Sequence, residues 1–169
     1  MMLDAPHMMK LSHNLIGEYD LFISGFNLPA TRRDFLALLK KQEETGFKSG
    51  NRFTRKHAEY HTNKMKVALA AQTLSKSVAT PLDVGRGDVL FPGSESKSFF
   101  ARTMNKLFDF CNSRSPRATG TRTPLQPENF EEKKERMNGI LKKLQNLKLR
   151  PKLKKCAQKS KKKQRRSTI

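Results

Sequence analysis

Residues 63–79, Asn-Lys-Met-Lys-Val-Ala-Leu-Ala-Ala-Gln-Thr-Leu-Ser-Lys-Ser-Val-Ala, are apolar on nearly every side when wound into a helix. A helix without a polar face cannot stay at a surface, so this run predicts a central, largely buried helix that other elements must surround. The rest of the chain supplies them. Thr31 and Asp34 have capping-box spacing, Phe35, Leu38 and Leu39 share a face and Gly46 follows, which predicts a helix from about Arg32 to Thr45. A short helix is expected around Met8 to Leu15, after the break at Pro6. Pro81, Gly85, Gly87, Pro92 and Gly93 mark a loop. Ser94 or Ser96 then caps a helix that carries Phe100, Met104, Leu107, Phe108 and Cys111 and ends near Asn112 or Ser113. No alternating run is long enough to argue for a sheet, so the expected fold is mainly α.

From Arg114 to Pro127 the composition turns to Ser, Thr, Pro, Gly and Arg, which reads as a linker and a domain boundary. An amphipathic helix is expected over residues 126–147, with Phe130, Met137, Ile140, Leu141, Leu144 and Leu147 in one stripe. Glu131, Glu132 and Glu135 lie toward its N-terminal end, with Lys142 and Lys143 later, as the helix dipole favours.

The chain carries 35 Lys and Arg against 15 Asp and Glu, a formal charge of +20, and from Lys148 onward it has no acid at all. The cations Lys152, Lys154, Lys155, Lys159, Lys161, Lys162, Lys163, Arg165 and Arg166 repel one another, so residues 148–169 are expected to form a disordered tail. Such a tail suits DNA phosphates, nuclear import or both, or it is an accident without function. DNA is therefore an expected partner and the nucleus the expected location. Cys111 on an apolar helical pattern and Cys156 in the tail do not suggest a disulfide framework. Residues 1–10 include Asp4 and no continuous apolar run, so neither a signal peptide nor a membrane span is expected and the chain reads as soluble and intracellular.

The stretch Leu107-Phe108-Asp109-Phe110-Cys111-Asn112-Ser113 carries the most chemistry. On a helix Phe108 and Asn112 are four apart, and Asp109 and Asn112 three, so a ring, a carboxylate and an amide emerge close together. A guanine base wants that set, but a core phenylalanine beside a capped helix end would look the same. Lys64 and Lys66 open the central run and would meet a phosphate with charge and free N–H groups, or stand as a solvated first turn. Ser75 could share a ligand with Lys66 only if that helix starts late or bends. His57, Glu59 and His61 echo a zinc motif with the Glu misplaced and no third ligand, and Gly46-Phe47-Lys48-Ser49 echoes a P-loop without its first glycine. Neither a metal site nor a P-loop is expected.

Three stretches, Asp4-Ala-Pro-His7-Met-Met-Lys10, residues 63–75 and Leu107-Phe108-Asp109 through Asn112-Ser113-Arg114, together resemble the P-element-type DNA transposase family, including its THAP-domain-bearing animal relatives. The resemblance runs from residue 4 to about residue 125. It implies that residues 1–17 are a remnant of an RNase H-like nuclease and that residues 18–125 are part of a helical GTP-binding insertion. It places Asp4 at a catalytic aspartate and Phe108, Asp109 and Asn112 at guanine-nucleoside positions. Lys66, Val67 and Ser75 fall at other nucleotide contacts, and Arg52 falls where a phosphate-facing Lys is expected. GTP with Mg2+ is the implied cofactor, and oligomerisation is left open. Two-metal nuclease chemistry needs several carboxylates, and of those the resemblance supplies Asp4 alone. The expected function is a truncated or domesticated transposase fragment that keeps a guanine-nucleotide site and is not catalytic alone. The alternatives are a basic-tailed nuclear nucleic-acid-binding protein and a non-functional transposon fragment.

Overall fold

Pro6 sits in the first turn of helix α1 (Ala5–Glu18), where its missing N–H breaks no helical bond, and the helix buries Met9 and Ile16. The structure, a computed structural model, describes residues 4–46, 53–85, 92–113, 115 and 117–152. Strand β1 (Tyr19–Ile23) follows α1 directly, and helix α2 (Arg32–Thr45) ends at Gly46, whose φ of 68° is left-handed backbone that glycine adopts without strain. Then come the short α3 (Arg55–Ala58), α4 (Val67–Thr73), α5 (Lys76–Val84), the long α6 (Ser94–Cys111), α7 (Phe130–Gln145) and strand β2 (Leu147–Pro151). Leu74, Val78, Ala79 and Leu82 meet Phe100, Ala101, Met104 and Leu107 of α6 in one core with α1 and α2. Met137, Ile140 and Leu144 lay the apolar stripe of α7 against it. The expectation of a mainly helical fold holds.

The central helix differs from expectation in two ways. It breaks at Leu74 and Ser75, which end α4 and cap α5, and the Ser75 hydroxyl donates to the Gln72 carbonyl at 2.7 Å. A serine hydroxyl that takes a backbone carbonyl offers the chain an alternative to the helical ladder. Pro81, read as part of a loop, lies inside α5. It costs one helical bond, which the packing of Val78, Ala79 and Leu82 outweighs.

The expected capping box at Thr31 and Asp34 is absent, because Thr31 makes no side-chain cap. Asp34 instead turns inward to Lys97, with Nζ 3.0 Å from Oδ2 and side-chain exposures of 0% and 2%. The contact is close without hydrogen-bond alignment, so charge attraction dominates it. The ammonium also lies 4.3 Å from the centre of the Phe35 ring. Burial pushes the Lys97 pKa down to about 8, and the Asp34 charge opposes that shift. Gly93 allows the close approach here: a Cβ would lie 2.6 Å from the Pro29 carbonyl oxygen and 3.1 Å from Asp34 Oδ2.

The largest departure is a sheet. Strands β1 and β2 pair antiparallel with Tyr19 opposite Pro151, Leu21 opposite Leu149 and Ile23 opposite Leu147. Residues 148–151, expected to belong to a disordered tail, form this ladder. Lys152, expected among the nucleic-acid-binding cations, is an anchor: its ammonium donates to the carbonyls of Ile16 at 2.7 Å and Gly17 at 3.2 Å and lies 3.7 Å from Asp20. A cation at the carboxyl end of α1 is where the helix dipole wants one. The expected linker is also tied down. Ser113 Oγ donates to the Arg122 carbonyl and the Lys133 ammonium to that of Thr123, so hydrogen bonds hold the segment between α6 and α7.

Candidate functional site

The last turn of α6 carries Phe108, Asp109 and, as its C-cap, Asn112, so the three predicted nucleoside residues share one helix end. Their surroundings differ. Phe108 is half-buried in the seam with α1, where it borders a small cavity with Ala5, Met8, Met104, Leu107 and Cys111. Asp109 faces the other way, with a side chain 12% exposed. The Asn105 amide donates to its Oδ2 at 2.8 Å, and the Arg122 guanidinium donates through Nε to its Oδ1 at 2.9 Å. Asn105 precedes Asp109 by one helical turn and was legible from spacing. Arg122 comes from the segment read as linker, and no sequence signal pointed to it.

Lys66 is the N-cap of α4 and is exposed, Val67 is the first residue of that helix, and Ser75 is the N-cap of α5. The helix starts late and bends, and Lys66 and Ser75 stand at opposite ends of α4. The two residues still stand on separate elements from Phe108, Asp109 and Asn112. Lys64, inside the expected run but ahead of the observed start of α4, pairs with Glu18 at 2.7 Å. The Ser75 hydroxyl also contacts Ser77 Oγ at 2.8 Å.

Asp4 is the exposed N-cap of α1 and makes no side-chain cap; its carbonyl accepts the Met8 N–H at 3.0 Å. Arg52 and the tail cations Lys154, Lys155, Lys159, Lys161, Lys162, Lys163, Arg165 and Arg166 lie outside the described residues. His57 is buried and serves structure: Nδ1 accepts the Thr54 N–H at 3.0 Å, and Nε2 contacts Gln72 Oε1 at 2.7 Å. Its neighbour His13 is held below the ordinary histidine pKa by burial, against a hydrogen bond to the His57 backbone that raises it. Among the described residues no three His, Cys, Asp or Glu side chains are grouped to hold a metal, and no helix is long and apolar enough to cross a membrane.

Sequence reasoning also missed a cavity of about 400 Å³ between the end of α6, residues 123–125 and the start of α7. Phe110, Ser113, Phe130, Lys133 and Asn138 are among its walls, with the Lys133 ammonium 5.3 Å from the Phe110 ring centre. The helical spacing of Phe110 and Ser113, three residues apart, was the signal available.

Residues 6–124 match the family described as a TNP-like, GTP-binding insertion domain. Among solved structures the chain is similar to the Drosophila P element transposase in its strand transfer complex, with a TM-score of 0.63 and 23% identity over 82% of this chain and 32% of that one. The chain thus spans about a third of the length of that structure, and at this identity the likeness is one of fold. No curated protein matches.

Proposed function

Because the chain belongs to the family of TNP-like, GTP-binding insertion domains, we propose that it is the guanine-nucleotide-binding module of a P-element-type transposase, truncated or domesticated, reading the base with Asp109 and its neighbours. The observation that carries this reading is the Asp109 carboxylate, mostly withdrawn from solvent and oriented by Asn105 at the end of α6. A carboxylate accepts from the ring N–H and exocyclic amine of guanine together, a pattern adenine does not offer. Asn112 supplies an amide for the base carbonyl or the ribose, and Phe108 a ring edge once the α1 seam relaxes. The phosphates, with Mg2+, would extend toward Lys66, Val67 and Ser75 at the starts of α4 and α5, where ammonium charge and free N–H groups favour anions, with Arg52 as a further cation.

Titration with GTP and ATP in magnesium tests the reading. GTP should bind more tightly, and Asp109→Asn should reduce the preference by roughly ten- to a hundredfold, since hydrogen bonds to a charged group contribute about 1.5–3 kcal/mol. Equal, millimolar binding of both nucleotides by the native chain would sink the idea.

We further propose that these residues do not cut DNA on their own. A two-metal displacement needs ions about 4 Å apart held by several carboxylates, and the one matched to that role is Asp4, exposed at the start of α1. With labelled duplex, Mg2+ or Mn2+ and GTP, nicking should not exceed that of Asp4→Ala. Nicking by the native chain that Asp4→Ala abolishes would show that Asp4 works in a complete site.

A further inference from the structure

We propose that Arg122 is a built-in stand-in for the guanine base, a latch that covers Asp109 and must swing out before a guanine nucleotide can bind. The inference rests on the guanine-nucleotide reading of Asp109. Its premise is chemical: the ring N–H, C2 and exocyclic amine of guanine form a guanidine unit, and the Arg122 side chain ends in the same unit. The Arg122 guanidinium donates to Asp109 Oδ1 at 2.9 Å, while Asn105 steadies Oδ2 at 2.8 Å. A guanine that used this carboxylate would place its ring N–H on one oxygen and its exocyclic amine on the other, and would so meet Arg122 at Oδ1.

The two partners are unequally held. The Asp109 side chain is 12% exposed and that of Arg122 is 65% exposed, so the carboxylate is set in the protein and the guanidinium lies over it from solvent. An exposed arm of this kind gives way at small cost. The backbone behind it is built to bring it back. Gly120, at a φ of 67°, makes the turn that returns the segment to α6, Ser113 Oγ donates to the Arg122 carbonyl, and the Lys133 ammonium donates to the Thr123 carbonyl. The latch therefore costs the base a competition for one oxygen and does not deform the pocket.

The test is an NMR titration of the full chain with guanosine and with GTP, for the native protein, Arg122→Ala and Arg122→Lys. Guanosine is uncharged, so loss of the arginine charge cannot alter its attraction to the protein. Arg122→Ala should bind guanosine roughly two- to fivefold more tightly, with Arg122→Lys between the two, and guanosine should shift the Arg122 side-chain Nε–H resonance in the native chain. Guanosine binding that is unchanged or weaker in Arg122→Ala, with native binding intact, overturns the latch and leaves the guanine reading standing. The same holds if only GTP binding weakens, which makes Arg122 a phosphate contact. If no form of the chain binds guanosine or GTP, the guanine reading itself fails and the latch with it.

Discussion

An Asp34→Asn chain is expected to lose about 3–5 kcal/mol of stability at neutral pH, the cost of breaking a fully buried ion pair by removing one partner. The substitution keeps the shape of the side chain and removes the charge that compensates Lys97, whose ammonium has no exposure to water. The Phe35 ring offers the ammonium only partial relief. Adding Lys97→Met to Asp34→Asn should recover most of the loss, because no charge is then left in the core. The pH dependence separates this account from a simple packing defect. In the native chain Lys97 has a pKa of about 8 against an ordinary 10.5, so between those values the unfolded chain holds more protons. Stability contributed by this group therefore rises as pH increases from about 8 to 10.5, and below 8 the folded state bears the full cost of burying the charge. Without Asp34 the lower edge of that window moves down, and in the doubly substituted chain the rise due to Lys97 disappears, leaving what Lys152, also held below its ordinary pKa by burial, contributes. Urea melts of the three chains from pH 6 to 10.5 measure all of this. A loss under about 1 kcal/mol in Asp34→Asn, or a rise with pH as large without Lys97 as with it, would show that the pair is not the buried charge centre described here.

That pair also marks where sequence pattern stops being informative. Helix α2 was legible to its ends because its apolar face and the glycine at its C-cap are local signals. Lys97 sits in Ser-Glu-Ser-Lys-Ser, which reads as a polar, solvated first turn, and only the arrival of Asp34 from α2 and the open backbone at Gly93 explain its burial. The sheet was hidden for a related reason: five residues of β1 and five of β2 carry little periodicity apiece, and their pairing joins opposite ends of the described chain. At the candidate site the grouping of Phe108, Asp109 and Asn112 was legible because helical spacing is local. The state of the Asp109 carboxylate was not, since it depends on Arg122, which reached it through a turn at Gly120. The bend at Ser75 was foreseen only as a condition on shared ligands, and a serine hydroxyl settled it.

The strand reassigns the residues that a test of DNA binding must remove. If the basic segment holds duplex DNA through its phosphates, the cations available are Lys154, Lys155, Lys159, Lys161, Lys162, Lys163, Arg165 and Arg166. Lys148 and Arg150 lie in β2, and Lys152 caps α1 and pairs with Asp20. A deletion from Lys148 onward would strip one strand of the sheet and the cap of α1, so lost affinity could report a damaged fold as readily as a lost contact. A chain ending at Lys152 keeps the ladder and removes these eight cations. Counterion release gives a slope in log affinity against log salt of about −0.9 for every phosphate neutralised, so six to eight contacts predict a slope of about −5 to −7 and a fall of about a thousandfold or more between 50 and 200 mM salt. The full chain should show that dependence on random-sequence duplex, and the chain ending at Lys152 should bind at least a hundredfold more weakly at low salt with a slope near zero. Its melting temperature should match that of the full chain, because the segment removed makes no part of the described core. Equal affinity and slope in both chains would move DNA binding off the tail and onto the helical body, with exposed Lys66 among the cations to remove next.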